Sequence, residues 1–264
     1  MMNHLLNEEQ FPAGFLPAWF EARHRQALEQ AGQLPEPSRR MESWRFGTPG
    51  NESLENFEAA PPVAPEALAS IIREHASMPD AIRIVYANGL PVSIPEELPE
   101  GLAVMDLEDF VLQYPDAARK HLETAPETLG SEKLAALNTA LQHNGLVIMA
   151  DREISCPLEI FHFISGDNVA VFPATLVIAE TGSRLHILER HVSADHGSQF
   201  CGALQQHHLS SASSVKYALV QELNSRSRAV ELCHIMADDS AEMEHLVSHP
   251  GAAWARQETV CLLN

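Results

Sequence analysis

Basic side chains are scarce in this sequence. Its 264 residues carry 17 Lys and Arg against 36 Asp and Glu, a formal net charge of −19. Residues 1–145 hold 22 acids and 10 bases and residues 146–264 hold 14 and 7, so the acidity is spread through the chain. No basic run exceeds the pair Arg39-Arg40. Binding a phosphate backbone takes a concentrated basic face, so no nucleic-acid partner is expected. Long apolar runs are missing too: nothing approaches the ~18–20 consecutive apolar residues that span a bilayer, and no membrane partner is expected. The start, MMNHLLNEEQFPAG, has no cationic segment followed by an apolar one, so no signal peptide is expected and the cytoplasm is the default address.

Other absences narrow the chemistry. The four cysteines, Cys156, Cys201, Cys233 and Cys261, form no C-x-x-C pair, so there is no zinc-ribbon signature. Without an export signal they are expected as reduced thiols. There is no G-x-x-x-x-G-K-[ST], no G-x-G-x-x-G after a strand and no G-x-S-x-G. Any ATPase activity would therefore come from a partner. The lack of an H-x-H counts against a cupin metal centre.

What is present divides at Gly145. Before it, residues 17–31 suit an amphipathic helix with Trp19, Phe20, Ala27, Leu28 and Ala31 on one face and Gly32 as its stop. The following Pro-, Gly- and acid-rich stretch reads as an extended arm, pinned by Met41, Trp44 and Phe46. Residues 65–77 suit a second helix, with Leu68, Ile71, Ile72 and His75 as its stripe. AIRIVYANGLPVSI reads as a hairpin turning at Asn88-Gly89, and GLAVMDL as a further strand. LEDFVLQYPDAARKHLETA is helical but interrupted at Pro115, which predicts two short helices. SEKLAALNTALQHNG predicts a helix capped by Ser131, stopped at Asn144-Gly145, and buried along Leu134, Leu137, Ala140 and Leu141.

After Gly145 the chain reads as strand upon strand: GLVIMAD, PLEIFHFI, NVAVF, ATLVIAE, SRLHILERHV, SVKYALVQEL, RAVELCHIM, AEMEHLVSH and ARQETVCLL. Polar strings such as HVSADHGSQ, HLSSASS and LNSRSRA join them in place of tight Asn-Gly reversals. The predicted class is mainly β, with a small α+β domain over 1–145 and an all-β body over 146–264. Pattern alone leaves a coiled β-solenoid and a jelly-roll or cupin barrel both open.

Nine of the fourteen histidines lie in 146–264, which raises a metal question. His245 and His249 are spaced for chelation on a helix, but on a strand that spacing sets them about 13 Å apart. Neighbours such as Glu244 and His245, or Cys233 and His234, point to opposite faces of a strand. Cys201, Cys233 and Cys261 can face a lumen, where thiolates suit iron or transferred sulfur, or serve as small core residues. Asp238-Asp239 and Asp195 with His196 admit an acid/base reading, as in a carbohydrate-active β-helix enzyme, but lie in corner-like strings that favour solvated turns. Trp254 and Arg256 suit a partner contact, the lumen or the packing of a last turn. No catalytic or metal residue is assigned. Two alternative functions, a carbohydrate-active enzyme and a β-barrel metal-binding protein, stay open on these grounds.

Several local patterns in order resemble the SufB/SufD family of the SUF iron–sulfur cluster assembly system. RRMESWRF (39–46) resembles that family's R-x-E-x-W-R/K arm. IRIVYANG followed by LPEGLAVMDLEDF resembles its next strands and helix, and LAALNTALQHNGLVIMADREISCPLEIFH (134–162) its entrance to the β-helix. VKYALVQELN (215–224) and GAAWARQETVCLL (251–263) resemble two of its rungs. The arm, the Asn-Gly hairpin and the lack of a cysteine-rich N-terminus point to the SufD branch.

The resemblance implies a right-handed parallel β-helix, incomplete here, behind an N-terminal α+β domain. It implies a non-enzymatic scaffold role beside a SufB-like subunit and a SufC-like ABC-type ATPase. No cofactor bound by this chain alone is implied; an Fe-S cluster belongs to the parent complex. Family members run on through further rungs into a C-terminal helical domain that carries partner surfaces. The chain is accordingly expected to be a fragment or a shortened homologue, with self-association through an open β-helix end.

Overall fold

A computed structural model describes residues 16–47, 54–123, 127–142 and 144–264. The reading of the N-terminal segment as leaderless falls on residues 1–15, and part of the arm on 48–53, outside the described residues. The helices are α1 (Ala18–Gln33), α2 (Pro65–His75), α3 (Leu107–Gln113), α4 (Pro115–Leu122) and α5 (Glu132–Leu141). Pro115 opens α4 at its first turn, where its missing N–H costs nothing, so the chain breaks into two helices there.

Among the described residues, four strands precede residue 145: β1 (Glu58–Ala59), β2 (Ile82–Ala87), β3 (Leu90–Ser93) and β4 (Leu102–Asp106). The body is entered through β5 (Leu146–Ala150), and its first turn is made by β6 (Leu158–Ile164), β7 (Val169–Val171) and β8 (Ala174–Ala179), with β8 stacked on β5. Then come β9 (Arg184–Ser193) with β10 (Gln199–Leu209), β11 (Ser214–Glu222) with β12 (Arg228–Ala237), and β13 (Glu242–Ser248) with β14 (Trp254–Leu263).

These strands do not reverse as hairpins. They stack in parallel into two sheets, one containing β8, β10, β12 and β14, the other β6, β9, β11 and β13. Register shows the coil: Arg184 pairs with Ser214 and Ser214 with Glu242, while Phe200 pairs with Arg228 and Arg228 with Trp254. Each turn therefore returns to the same place after about 26–30 residues. The body is a β-solenoid of four turns, which excludes the barrel and jelly-roll alternatives. One corner repeats with it: Gly182, Ala212 and Ser240 each take a positive φ, of 76°, 59° and 58°. There the amide of Gly182 donates to the Ser211 carbonyl, and that of Ala212 to Asp239. Successive corners are thus stitched together where tight reversals are absent.

The N-terminal strands extend both sheets. β2 pairs in parallel with β6 and turns into β3 at Asn88-Gly89, both with positive φ. β4 closes the other sheet antiparallel to β5, and β1 joins β7. Helix α5 lies on the outer face of the first sheet, where Leu134 and Leu137 pack with Phe172, Phe200 and Leu204. On the second sheet, α2 sets Leu68 against Phe161 and Phe163.

Three expectations change. A strand, β10, occupies QFCGALQQHHL, which the pattern of apolar runs passes over because its Gln and His residues read as a loop. Phe46 is 94% exposed and does not pin the arm; Trp44, fully buried, does so with Met41 packed beside it. Ser131 precedes α5 but makes no cap to it: its Oγ donates to Glu258 at 2.6 Å instead, and α5 is buried on most of its surface.

Candidate functional site

Strand residues alternate between the lumen and the outer face, so one phase of each strand fills the interior of the coil. In most places that phase is apolar: Leu185 and Ile187 on β9, Val215 and Leu219 on β11, Cys233 and Ile235 on β12. Part of it is not. Along the second sheet, Tyr86 pairs with His162, His162 with His191, and His191 with Gln221, a polar ladder through four strands. Glu189 stands two residues before His191 in the same phase. From the opposite sheet come Cys201 and Gln205 on β10 and Glu231 on β12. All of these side chains are buried.

The histidine at the centre is contacted on both sides. His191 Nδ1 lies 2.8 Å from Glu231 Oε1, and its Nε2 lies 3.0 Å from Glu189 Oε1. His162 Nε2 approaches the same Glu189 oxygen at 3.5 Å. Tyr217 donates its hydroxyl to the other Glu189 oxygen at 2.9 Å, and Gln205 Nε2 donates to Glu231 at 3.4 Å. Cys201 Sγ sits 3.8 Å from His191 Nδ1. Two donor sets follow, His162–Glu189–His191 and His191–Cys201–Glu231, each with its ligand atoms within 4.8 Å of one another.

The electrostatics follow from desolvation offset by pairing. Burial disfavours the His191 imidazolium, but the Glu231 carboxylate and the neighbouring Cys201 and Glu189 hold its pKa well above the ordinary value. Burial alone would raise Glu189; hydrogen bonding from His191 and the nearby His162 bring it down to about 2. His162, more desolvated than paired, is pushed down to about 4. The Cys201 thiol is pushed up to about 11, chiefly by burial. The His191 ring is thus held between two carboxyl groups, Glu231 at Nδ1 and Glu189 at Nε2.

The residues singled out from sequence scatter. Cys201 joins the lumenal cluster; Cys233 also faces inward, in an apolar layer, and Cys261 is exposed. His234, buried, faces away from Cys233 as strand alternation requires. His245 stacks on Tyr217 with ring centres 5.6 Å apart, and no donor set among the described residues joins it to His249. Glu244 pairs with Lys216 on the surface at 2.9 Å. Asp195 accepts from Ser165, Gly166, Gly197 and Gln199, so it builds a corner and offers no free acid or base. The neighbouring His196 offers its carbonyl to Arg226. Asp238 accepts from Asn264, and Asp239 closes the Ala212 corner through its carbonyl. Trp254 and Arg256 pack against Trp44.

Sequence reasoning passed over His162, Glu189, His191, Gln205, Tyr217 and Glu231. Their signal was charged or polar residues standing in the phase that is otherwise apolar, as Glu189 and His191 continue Leu185 and Ile187. That phase becomes visible only once the strands are known to enclose a lumen.

Comparison with known proteins converges on one family. Residues 162–264, the stretch holding every lumenal donor just described, match the model described as SUF system FeS cluster assembly, SufBD core domain. The chain is similar to the iron–sulfur cluster assembly protein SufD of Bacillus subtilis, 26% identical over 190 residues, 67% of this chain and 42% of that protein. It is similar to an iron–sulfur cluster assembly SufBD family protein of Pyrococcus horikoshii, 28% identical over 160 residues, 52% of this chain and 36% of that protein. The chain thus spans less than half the length of both relatives.

Proposed function

We propose that this chain is a member of the SufB/SufD family and serves as a SufD-like, non-catalytic scaffold component of iron–sulfur cluster assembly in the cytoplasm. The observation that carries the reading is the SufBD core match over residues 162–264, laid on a β-solenoid whose lumen holds histidine, carboxylate and thiol groups. The cluster, in this reading, is cargo. Nucleotide hydrolysis belongs to a SufC-like ATPase, in keeping with the absence of a phosphate-binding loop from this sequence, and the second scaffold subunit is SufB-like. Residues 1–145 form an N-terminal α+β unit with an extended arm, and 146–264 the β-helix body. That division follows the change from helix-bearing chain to uninterrupted strands, although β2 and β4 join the sheets from the N-terminal side.

Co-expression of the tagged chain with the SufB-like and SufC-like proteins of the same genome tests this. Co-purification of all three is expected, with no ATP hydrolysis by the chain alone. Failure of both partners to associate would overturn the reading.

A further inference from the structure

We propose that the lumen of this chain binds one divalent first-row transition-metal ion, of the iron(II) or zinc(II) class, on His162 Nε2, Glu189 and His191 Nε2. Two histidines and one carboxylate are a donor set with a strong preference for such ions, with positions left open for water or an incoming ligand. Spacing supports it. An ion about 2.1 Å from each donor holds the donors about 3.0 Å apart in octahedral and about 3.4 Å in tetrahedral geometry. Glu189 Oε1 lies 3.0 Å from His191 Nε2 and 3.5 Å from His162 Nε2. All three donor atoms fall within 4.8 Å of one another. Small side-chain rotations close the set.

The surroundings are those of a supported ligand set. His191 turns Nδ1 to Glu231 at 2.8 Å, which orients the ring and keeps the Nδ1 proton there, so that on metal binding Nε2 releases its proton to solvent and offers its lone pair, the carboxylate–histidine–metal arrangement. Tyr217 holds the far oxygen of Glu189 at 2.9 Å, leaving the near oxygen to coordinate. His162 Nδ1, Gln205 Oε1 and both nitrogens of His207 are buried with no hydrogen-bond partner. Charge points the same way. Glu189 and Glu231 are fully buried, and among the described residues their ion pairs are with His162 and His191 only, with no Lys or Arg. Two buried carboxyl groups facing two imidazoles, with no Lys or Arg beside them, are the donor chemistry that a divalent cation completes.

There is also a way in. A cleft lined by Tyr86, Asn88, Gly89, Gln142 and Pro173 extends as far as His162. Glu231 holds His191 Nδ1 on the other side of the imidazole, and Cys201, 3.8 Å from the same nitrogen, lies outside the coordination sphere.

The inference rests on these side chains and not on the assembly reading, and the two fail separately: one is read by metal on the isolated chain, the other by partner association. Chelator-treated 264-residue chain is dialysed against cobalt(II), then competed with zinc(II). One cobalt per chain is expected, with ligand-field bands in the visible and no sulfur-to-cobalt band in the near ultraviolet. His162→Gln and His191→Gln should each weaken binding at least about tenfold, as should Tyr217→Phe, while Cys201→Ser leaves it unchanged. Far-ultraviolet circular dichroism checks folding, and Tyr217→Phe keeps the test open if a histidine variant fails to fold. No stoichiometric cobalt on the wild-type chain would overturn the inference. So would a strong sulfur band, or binding lost in Cys201→Ser and kept in His162→Gln, which would move the ion to the Nδ1 side.

Discussion

Arg256 lies flat on Trp44, its guanidinium carbon 4.1 Å from the centre of the indole ring. The guanidinium donates to Glu258 at 2.7 Å and to the Ser43 and Leu129 carbonyls at 2.9 and 3.2 Å. Glu258 accepts in turn from the Leu129 amide and Ser131, and Trp44 Nε1 donates to the Gly130 carbonyl. Trp254 stacks against the same indole at 6.1 Å. One knot thus joins three segments far apart in the chain: the arm, the lead-in to α5, and β14.

Breaking that knot should loosen all three at once. Trp44→Ala removes a fully buried indole and is expected to cost about 3–5 kcal/mol. Arg256→Lys keeps the charge but cannot reach Glu258 and two carbonyls together, for an expected loss of about 1–3 kcal/mol. Urea denaturation followed by circular dichroism measures both. A wild-type midpoint for Trp44→Ala would show that the arm is not anchored there.

Asn138 performs a comparable task on α5. Fully buried, it donates both amide hydrogens, to the Pro173 and Gly202 carbonyls, each at 2.8 Å, and so bolts the helix to adjacent turns of the solenoid. Asn138→Asp would place an acceptor against two carbonyls and should destabilise by about 3 kcal/mol or more, beyond the ~1–3 kcal/mol expected of Asn138→Ala. Thermal melting ranks the two. Equal stability of the Asp and Ala variants would contradict this account.

These two residues show what the sequence made legible. Trp44 and Asn138 both lie in stretches that resemble family motifs, and a tryptophan in a polar arm already argued for a buried anchor. The alternation of β9 and of β11 to β14 was readable because each strand is bounded by a polar corner. The stacking was not, since the turn length drifts between about 26 and 30 residues and leaves no fixed repeat. Strand β10 was hidden for another reason: its Gln side chains and His207 are buried through ladder and lumen contacts that only neighbouring turns supply. The lumenal donors were invisible for the same cause. His162 and His191 are 29 positions apart in the chain and become neighbours only through the register of β6 on β9.

Thiol chemistry offers a direct check of which residues face inward. Cys201 and Cys233 are buried, and burial pushes both thiols up, Cys201 to about 11, so neither forms a thiolate near neutral pH. Cys261 is exposed and Cys156 partly so. Titration with a disulfide reagent should therefore modify Cys261 and then Cys156 in the native chain, and release the other two only in denaturant. Mass mapping that finds Cys201 labelled natively would show the lumen open.

Acid stability tests the buried rings outside the donor set. His207 has no partner for either nitrogen, and His208 and His121 each lack one. Burial pushes His207 and His208 down to about 3 and His121 to about 4, with neighbouring imidazoles and Lys120 opposing a further positive charge. These pKa values lie below the ordinary 6.5, so the rings stay neutral in the fold while the unfolded chain takes up protons as pH drops below that value. Stability is therefore fully present above about pH 6.5 and is lost as pH falls toward 4 and 3. His207 and His208 should each contribute a slope of roughly 1.4 kcal/mol per pH unit once the unfolded ring is protonated, with His121 acting in the same direction. His207→Phe keeps an edge-on ring beside Tyr217, now 4.5 Å from the imidazole, and removes the titrating group. Urea midpoints between about pH 7 and about pH 5 should fall for wild type and fall less for this variant. Identical slopes would mean that His207 already carries its proton in the folded chain.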